Sequence, residues 1–231
     1  MNYRKEIDGL RAIAVLPVIF YHSGLSLFEG GFIGVDVFFV ISGFLITSII
    51  LNQTLESKFS FLKFYEKRAR RILPPLIITV STTFILSLFL LVPAQIKNVG
   101  QSLVSISLFI SNYFFYLETD YFNSFNEVNP LLHTWSLSLE EQFYIFFPIL
   151  FYLTVLGFKK ATNNSESTIN YTFIVIFILA LISFITAIDL GSKNNILAFY
   201  ALQSRGWELL LGSICALLNR IYQNDFIFMG K

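Results

Sequence analysis

One cysteine, Cys215, stands in 231 residues. No internal disulfide can form, and with no CxxC pair and no Cys/His cluster a structural zinc site or an iron–sulfur centre is excluded. Charge is equally scarce. Asp, Glu, Lys and Arg make up 13% of the chain, against roughly 25% in a soluble domain. That supply is too small to clothe a globule of this size in polar surface. Nor is there an excess of one sign: 16 basic against 15 acidic residues leave no electrostatic footprint for nucleic acid. The chain also lacks any fixed-period repeat, low-complexity tract or Pro/Gly/Ser-rich linker, so 1–231 reads as one domain.

What fills the sequence is hydrocarbon and aromatic ring: 55% is apolar, with 27 Phe and 11 Tyr. The lipid bilayer is therefore the expected partner. Stretches free of Asp, Glu, Lys and Arg run over 12–28, 37–55, 72–95, 98–117, 142–158 and 167–188, with a last candidate at 207–219 that carries Glu208. A crossing helix needs about 20 mostly apolar residues, and lipid leaves no partner for the backbone of an open strand. The expected fold is all-α: a polytopic transmembrane bundle of about six to seven helices.

The first run is not a signal peptide, because Glu6, Asp8 and Arg11 spoil a positive n-region and no small-x-small site follows. Between the second and third runs lie Lys58, Lys63, Lys67, Arg68, Arg70 and Arg71. The positive-inside rule makes that segment, and with it the N-terminus, cytoplasmic. Simple alternation then sets the Lys159/Lys160 loop outside, against the rule. Pro74 and Pro75 are expected in the first turn of the third helix, Pro93 at its close, and 162–168 as a solvated loop.

Polar groups inside apolar runs carry the functional signal. His22 follows Arg11 by about three helical turns, so the two share a face roughly 16 Å apart along the axis. Arg11 at the cytoplasmic surface and His22 deeper would suit a substrate with an anionic head and a reactive tail; equally, Arg11 can snorkel and His22 bond a neighbouring helix. Asp36 stands at the start of the second run, where an anion suits a helix N-terminus. The cluster at 67–71, Lys-Arg-Ala-Arg-Arg, is either a topogenic signal or a phosphate grip.

The densest group is His133, Thr134, Trp135, Ser136, Ser138, Glu140 and Glu141 at the opening of a run. Ser138 and Glu141 fit a capping box that sets the helix start near Leu139 and accounts for Glu141. Glu140 and His133 have no such explanation. No G-x-S-x-G frames Ser136, so it is not expected to be a nucleophile. Glu208 repeats the theme of charge at a membrane entry, with Arg205 three residues away to pair with it.

These residues resemble the motifs of the acyltransferase 3 family, bacterial membrane-bound O-acyltransferases that decorate cell-surface glycans. The likeness runs through Tyr-Arg-Lys-Glu-Ile-Asp-Gly-Leu-Arg-Ala at 3–12 with His22, then Gly-Phe-Ile-Gly-Val-Asp-Val-Phe-Phe at 31–39 and Val-Ile-Ser-Gly-Phe-Leu-Ile at 40–46. It continues through Phe64-Tyr65 with Arg-Ala-Arg-Arg-Ile-Leu-Pro at 68–74, Leu-His-Thr-Trp-Ser-Leu-Ser at 132–138, and Arg205 with Trp207 and Glu208.

The resemblance implies an inner-membrane enzyme that takes an acyl group, typically acetyl, from cytoplasmic acyl-CoA and delivers it to a hydroxyl of an extracytoplasmic glycan. No metal and no tightly bound cofactor are implied. The family's essential R-x10-H pair falls on Arg11 and His22, and its R-x-x-R pair on Arg68 and Arg71. On this reading His22, partly desolvated, is the base, with Arg11 and Glu140 beside it in catalysis. Arg11, Arg68 and Arg71 hold the phosphates of the donor, and Asp36, His133, Trp135, Ser136 and Glu208 support the site. The family's membrane domain normally has more helices, and many members add a hydrolase-like domain, so the chain reads as an N-terminal portion. A carrier or channel, and a non-catalytic remnant, are the alternatives.

Overall fold

The computed structural model describes residues 5–121, 129–162 and 164–229. Among them there is no strand, and the all-α expectation holds. The helices are α1 (Lys5–His22), α2 (Gly34–Leu55), α3 (Phe61–Leu90), α4 (Pro93–Ser107), α5 (Ser111–Tyr121), α6 (Thr134–Thr162), α7 (Ser165–Lys193), the short α8 (Asn195–Tyr200) and α9 (Leu202–Met229). Two 3₁₀ turns, Ser26–Phe28 and Gly31–Ile33, join α1 to α2. By length and composition four segments can cross a membrane: Gly31–Leu55, Phe61–Leu90, Thr134–Thr162 and Ser165–Lys193.

The chain divides into two compact units. The first comprises Met1–Ser57, Phe143–Ile188 and Gln203–Lys231. Here α2 is the central helix, and glycines set how closely its neighbours approach. A Cβ on Gly34 would lie 2.0 Å from the carbonyl oxygen of Ala14, and one on Gly31 2.2 Å from that of Pro17. The α1 backbone therefore lies directly against the start of α2, antiparallel to it. On the other side Gly43 meets Leu209 and Gly212 meets Val40, each with backbone oxygen within 2 Å of the missing Cβ. The buried Thr47 hydroxyl donates to Ser213 Oγ at 2.8 Å. Asp36 against Arg205 near one end and Thr47 against Ser213 further along make α2 and α9 parallel.

α6 is parallel to α2 as well. Tyr144 donates its phenol to Ser42 Oγ at 2.5 Å, and further along Lys159 Nζ donates to Leu55 O and Ser57 Oγ, both at 3.2 Å. The ammonium thus satisfies the carbonyl end of α2, where a cation is favoured. This corrects the expected topology. Lys159 lies beside the end of α2, on the membrane side of Leu55 and Ser57 and not on the opposite one. Alternation fails because the run at 98–117 is not one helix.

That run belongs to the second unit, Lys58–Gln142 with Asp189–Leu202. α4 ends at Ser107 and α5 starts at Ser111, with Phe109 between them in the left-handed region at φ 54°. Ser102, Ser105 and Ser107 each turn their hydroxyl back to a carbonyl three residues earlier, which competes with helical bonding. Amide side chains then complete the break. Gln142 Nε2 donates to Phe109 O at 2.8 Å, and Asn112 Nδ2 to Tyr200 O at 2.9 Å. Val99, Ile106 and Leu131 form the core here, packed by Leu76, Val80, Phe84, Leu91 and Leu103.

Three boundaries differ from expectation. Pro74 and Pro75 sit inside α3, because the good helix formers of 61–73 start the helix earlier. Pro93 opens α4 instead of closing α3, and Gln95 Oε1 accepts the Val92 N–H at 3.3 Å. α7 starts at Ser165 and Thr168 is fully buried, so 165–168 is helix and not loop.

Candidate functional site

Each unit carries its own group of candidate residues. In the first, Arg11 and His22 share α1. The Arg11 guanidinium lies over the Phe38 ring, 5.4 Å from its centroid, a cation–π contact that orients the fork. Arg11 is therefore level with the second turn of α2, about 25 Å along that helix from Leu55 at 1.5 Å per residue.

His22 ends α1 with its side chain on the surface of the chain. Its Nδ1 lies 2.8 Å from Val18 O. A carbonyl only accepts, so Nδ1 carries the proton and the neutral ring has its lone pair on Nε2. That is the tautomer a base acting through Nε2 requires.

Asp36, Arg205 and Glu208 come together in the same unit. Asp36, in the first turn of α2, accepts a hydrogen bond from Arg205 Nη2. Arg205 Nε lies 3.3 Å from Glu208 Oε1, and its guanidinium lies over the Phe39 ring at 5.8 Å. Glu208 is 3% exposed. The expected Arg205–Glu208 pairing is present, and Asp36 joins it. Ser183 of α7 ties down the start of α9, donating to Gln203 O at 2.7 Å and accepting the Trp207 N–H at 2.9 Å.

In the second unit the basic cluster divides. Arg70 pairs with Glu66 at 2.9 Å on the exposed surface of α3, and Arg71 is exposed. Arg68 turns inward to Glu141 of α6, Nη2 to Oε1 at 3.8 Å, with side chains 20% and 13% exposed. Glu140 beside it is buried. Trp135 is buried against Phe199 and Tyr200, with ring centroids 4.6 and 5.6 Å apart. Ser136 donates to His133 O at 3.1 Å, a local bond that does not activate an oxygen. His133 is exposed.

The capping box does not form. α6 begins at Thr134, and Ser138 Oγ instead accepts the Ser111 N–H at 3.2 Å and meets Ser111 Oγ at 2.7 Å. Glu141, set aside by sequence reasoning as a cap, is thereby freed to face Arg68. No spacing links residues 68 and 141, so only tertiary structure reveals the pair. Among the described residues no group of three or more His, Cys, Asp or Glu could hold a metal ion.

Comparison with known proteins decides what this arrangement belongs to. The pattern that defines the acyltransferase domain of the acyltransferase 3 family matches residues 4–228. The chain belongs to this family. Its relatives include the Staphylococcus aureus (strain MSSA476) protein named "Putative O-acetyltransferase SAS0844", 38% identical over 222 residues. Another is O-acetyltransferase OatA of Staphylococcus aureus strain NCTC 8325, 33% identical over 219 residues. Both alignments cover 94% of this chain and 35% of the relative, so the chain spans about a third of the length of the relatives it matches. No solved structure matches it. Family and apolar helices together describe a multi-pass membrane protein of the acyltransferase 3 family.

Proposed function

We propose that this acyltransferase 3 chain supplies the donor-handling helices of a membrane O-acetyltransferase. In this reading the enzyme moves an acetyl group from cytoplasmic acetyl-CoA to a hydroxyl of an extracytoplasmic glycan, across the bacterial inner membrane and with the N-terminus cytoplasmic. Family membership over nearly the whole chain carries the reading. The bond of His22 Nδ1 to Val18 O, which leaves Nε2 as the nitrogen to take up a proton, supports it.

The acceptor oxygen forms its bond to the acetyl carbon while the thioester C–S bond breaks. The hydroxyl proton goes to His22 Nε2 and is returned to the leaving thiolate. Arg11, oriented by Phe38 and on the same helix face as His22, serves the developing oxyanion as well as the donor phosphates. Arg68 and Arg71 take the phosphates, as forked donors do. Glu140, buried in the second unit, is the acid of the W-S-L-S-L-E segment kept as a supporting group. Asp36 and Glu208 fix Arg205 and the start of α2, and Trp135, His133 and Ser136 shape the opening of α6.

The test is transfer of labelled acetyl from acetyl-CoA in membranes carrying the protein. His22→Ala is expected to lower transfer by about 10²–10⁴-fold, the span of general-base catalysis. Its melting temperature in detergent is measured alongside, so that a loss of fold is told apart from a loss of catalysis. Unchanged transfer rejects His22 as the base.

A further inference from the structure

We propose that Glu118, held in place by Asn98 and Asn129, is a subsite for hydroxyl groups of the acceptor glycan. The inference rests on the glycan reading above and names residues that none of the family motifs supplies.

The three residues come from separate parts of the second unit: Asn98 from the second turn of α4, Glu118 from the last turn of α5, and Asn129 from the segment before α6. A chain of hydrogen bonds joins them. The Leu131 N–H donates to Asn129 Oδ1 at 2.9 Å, Asn129 Nδ2 to Asn98 Oδ1 at 2.6 Å, and Asn98 Nδ2 to Glu118 Oε2 at 2.5 Å. A backbone N–H only donates and a carboxylate only accepts, so both amides are oriented and every dipole in the chain points the same way. Asn129 is buried while Asn98 and Glu118 are half-buried, so the series runs outward from the core at Val99 and Leu131. It ends on the carboxylate.

Tying α4 to the segment before α6 needs only the two asparagines, and a neutral acceptor would close the chain as well. Glu118 adds a charge that no ion pair among the described residues balances, although the exposed Lys97 is next to Asn98 in sequence. Its Oε1 has no partner among the described residues and lies open. In a membrane protein such a group marks a site. A carboxylate repels the phosphates of the donor, and one acid with two engaged amides does not make the oxygen cage of a metal ion. Hydroxyl groups donate, and a glycan presents them in neighbouring pairs that one carboxylate can accept. The place fits as well. α3 is long enough to cross the membrane from the basic segment, and Asn98 lies about 8 Å along α4 from Pro93, just beyond the far end of α3. That end is the one away from the basic segment, where the acceptor is proposed to lie.

The experiment measures transfer from labelled acetyl-CoA in membranes carrying the full chain, with two acceptor probes: soluble glycan strands released from bacterial cell wall, and the β-1,4-linked tetramer of N-acetylglucosamine. Glu118→Gln keeps an oxygen for Asn98 Nδ2 and removes the charge. It is expected to raise the acceptor KM about tenfold, as loss of a hydrogen bond to a charged group does, while the KM for acetyl-CoA holds. Glu118→Asp keeps the charge on a shorter stem and should give an intermediate acceptor KM; it carries the test if the glutamine variant does not fold. An acceptor KM equal to wild type in both variants overturns the subsite, and so does an equal rise of both KM values, which is the mark of a structural role. Absence of transfer from the wild-type protein to either probe overturns the glycan reading and the subsite together, whereas wild-type transfer that both variants leave intact overturns the subsite only.

Discussion

Arg205 faces two carboxylates, and the asymmetry of its surroundings decides what losing it does. Glu208 is buried and Asp36 a third exposed, so removal of the guanidinium strands one charge in the interior and one near its edge. Arg205→Ala is expected to cost about 3 kcal/mol, the lower end for breaking a buried pair. Thermal unfolding in detergent would show this, and adding Glu208→Gln should recover part of it because the stranded buried charge is gone. An unchanged melting temperature for Arg205→Ala would show that water reaches Glu208. Arg205 next to Glu208 was legible from a separation of three residues; Asp36 as third member was not, because α2 and α9 meet only through tertiary packing. The same limit hid Glu141 behind a plausible capping box. Local pattern gives the bonds a residue can make within its own helix, and it is silent on a stronger competitor such as Ser111, whose hydroxyl and N–H both claim Ser138.

Helix packing in the first unit depends on hydrogen where other residues carry a methyl group. Gly43→Ala sets a carbon 1.8 Å from Leu209 O, and Gly212→Ala sets one 1.9 Å from Val40 O. Backbone cannot yield as a side chain tip can, so α2 and α9 must separate and loosen Thr47–Ser213. Each substitution should cost about 1–3 kcal/mol, as overpacking does. Gly100→Ala is the internal control. It lies within α4 with nothing inside 4 Å of the added carbon, and should stabilise by about 0.5–1 kcal/mol through helix propensity. Melting temperatures that move the same way in both would refute close packing of α2 on α9. Helix identity was legible here from apolar runs alone, but helix ends were not. Scanning for absent charge trims the charged first turns, so it starts α3 at 72 when the helix begins at Phe61, and α6 at 142 when it begins at Thr134. Charge marks where a helix leaves hydrocarbon, which is not where its hydrogen bonds stop.

Orientation in the membrane follows from helix directions within the first unit, and it departs from counting spans. α1 runs against α2, and α6 runs with it, so the chain between α1 and α2 belongs to one membrane face while the ends of α2 and α6 belong to the other. Counting each charge-free run as a crossing sends the end of α6 to the wrong face, since 98–117 contributes two short helices joined by a left-handed residue in place of a span. The corrected direction also removes the conflict with the positive-inside rule, because Lys159 and Lys160 now share a face with Lys58 and the basic residues that follow it in sequence. The single exposed cysteine makes the point testable. In a Cys215→Ser background, Glu56→Cys and Lys160→Cys should react with a membrane-impermeant maleimide only after the cytoplasmic side is opened. Glu29→Cys, between α1 and α2, should react in intact cells. All three positions are exposed, so reactivity reports sidedness and not burial. Labelling of residues 56 and 160 from opposite sides would restore strict alternation and break the Lys159 contact with Leu55; labelling of residue 29 together with both would remove α2 as a crossing helix.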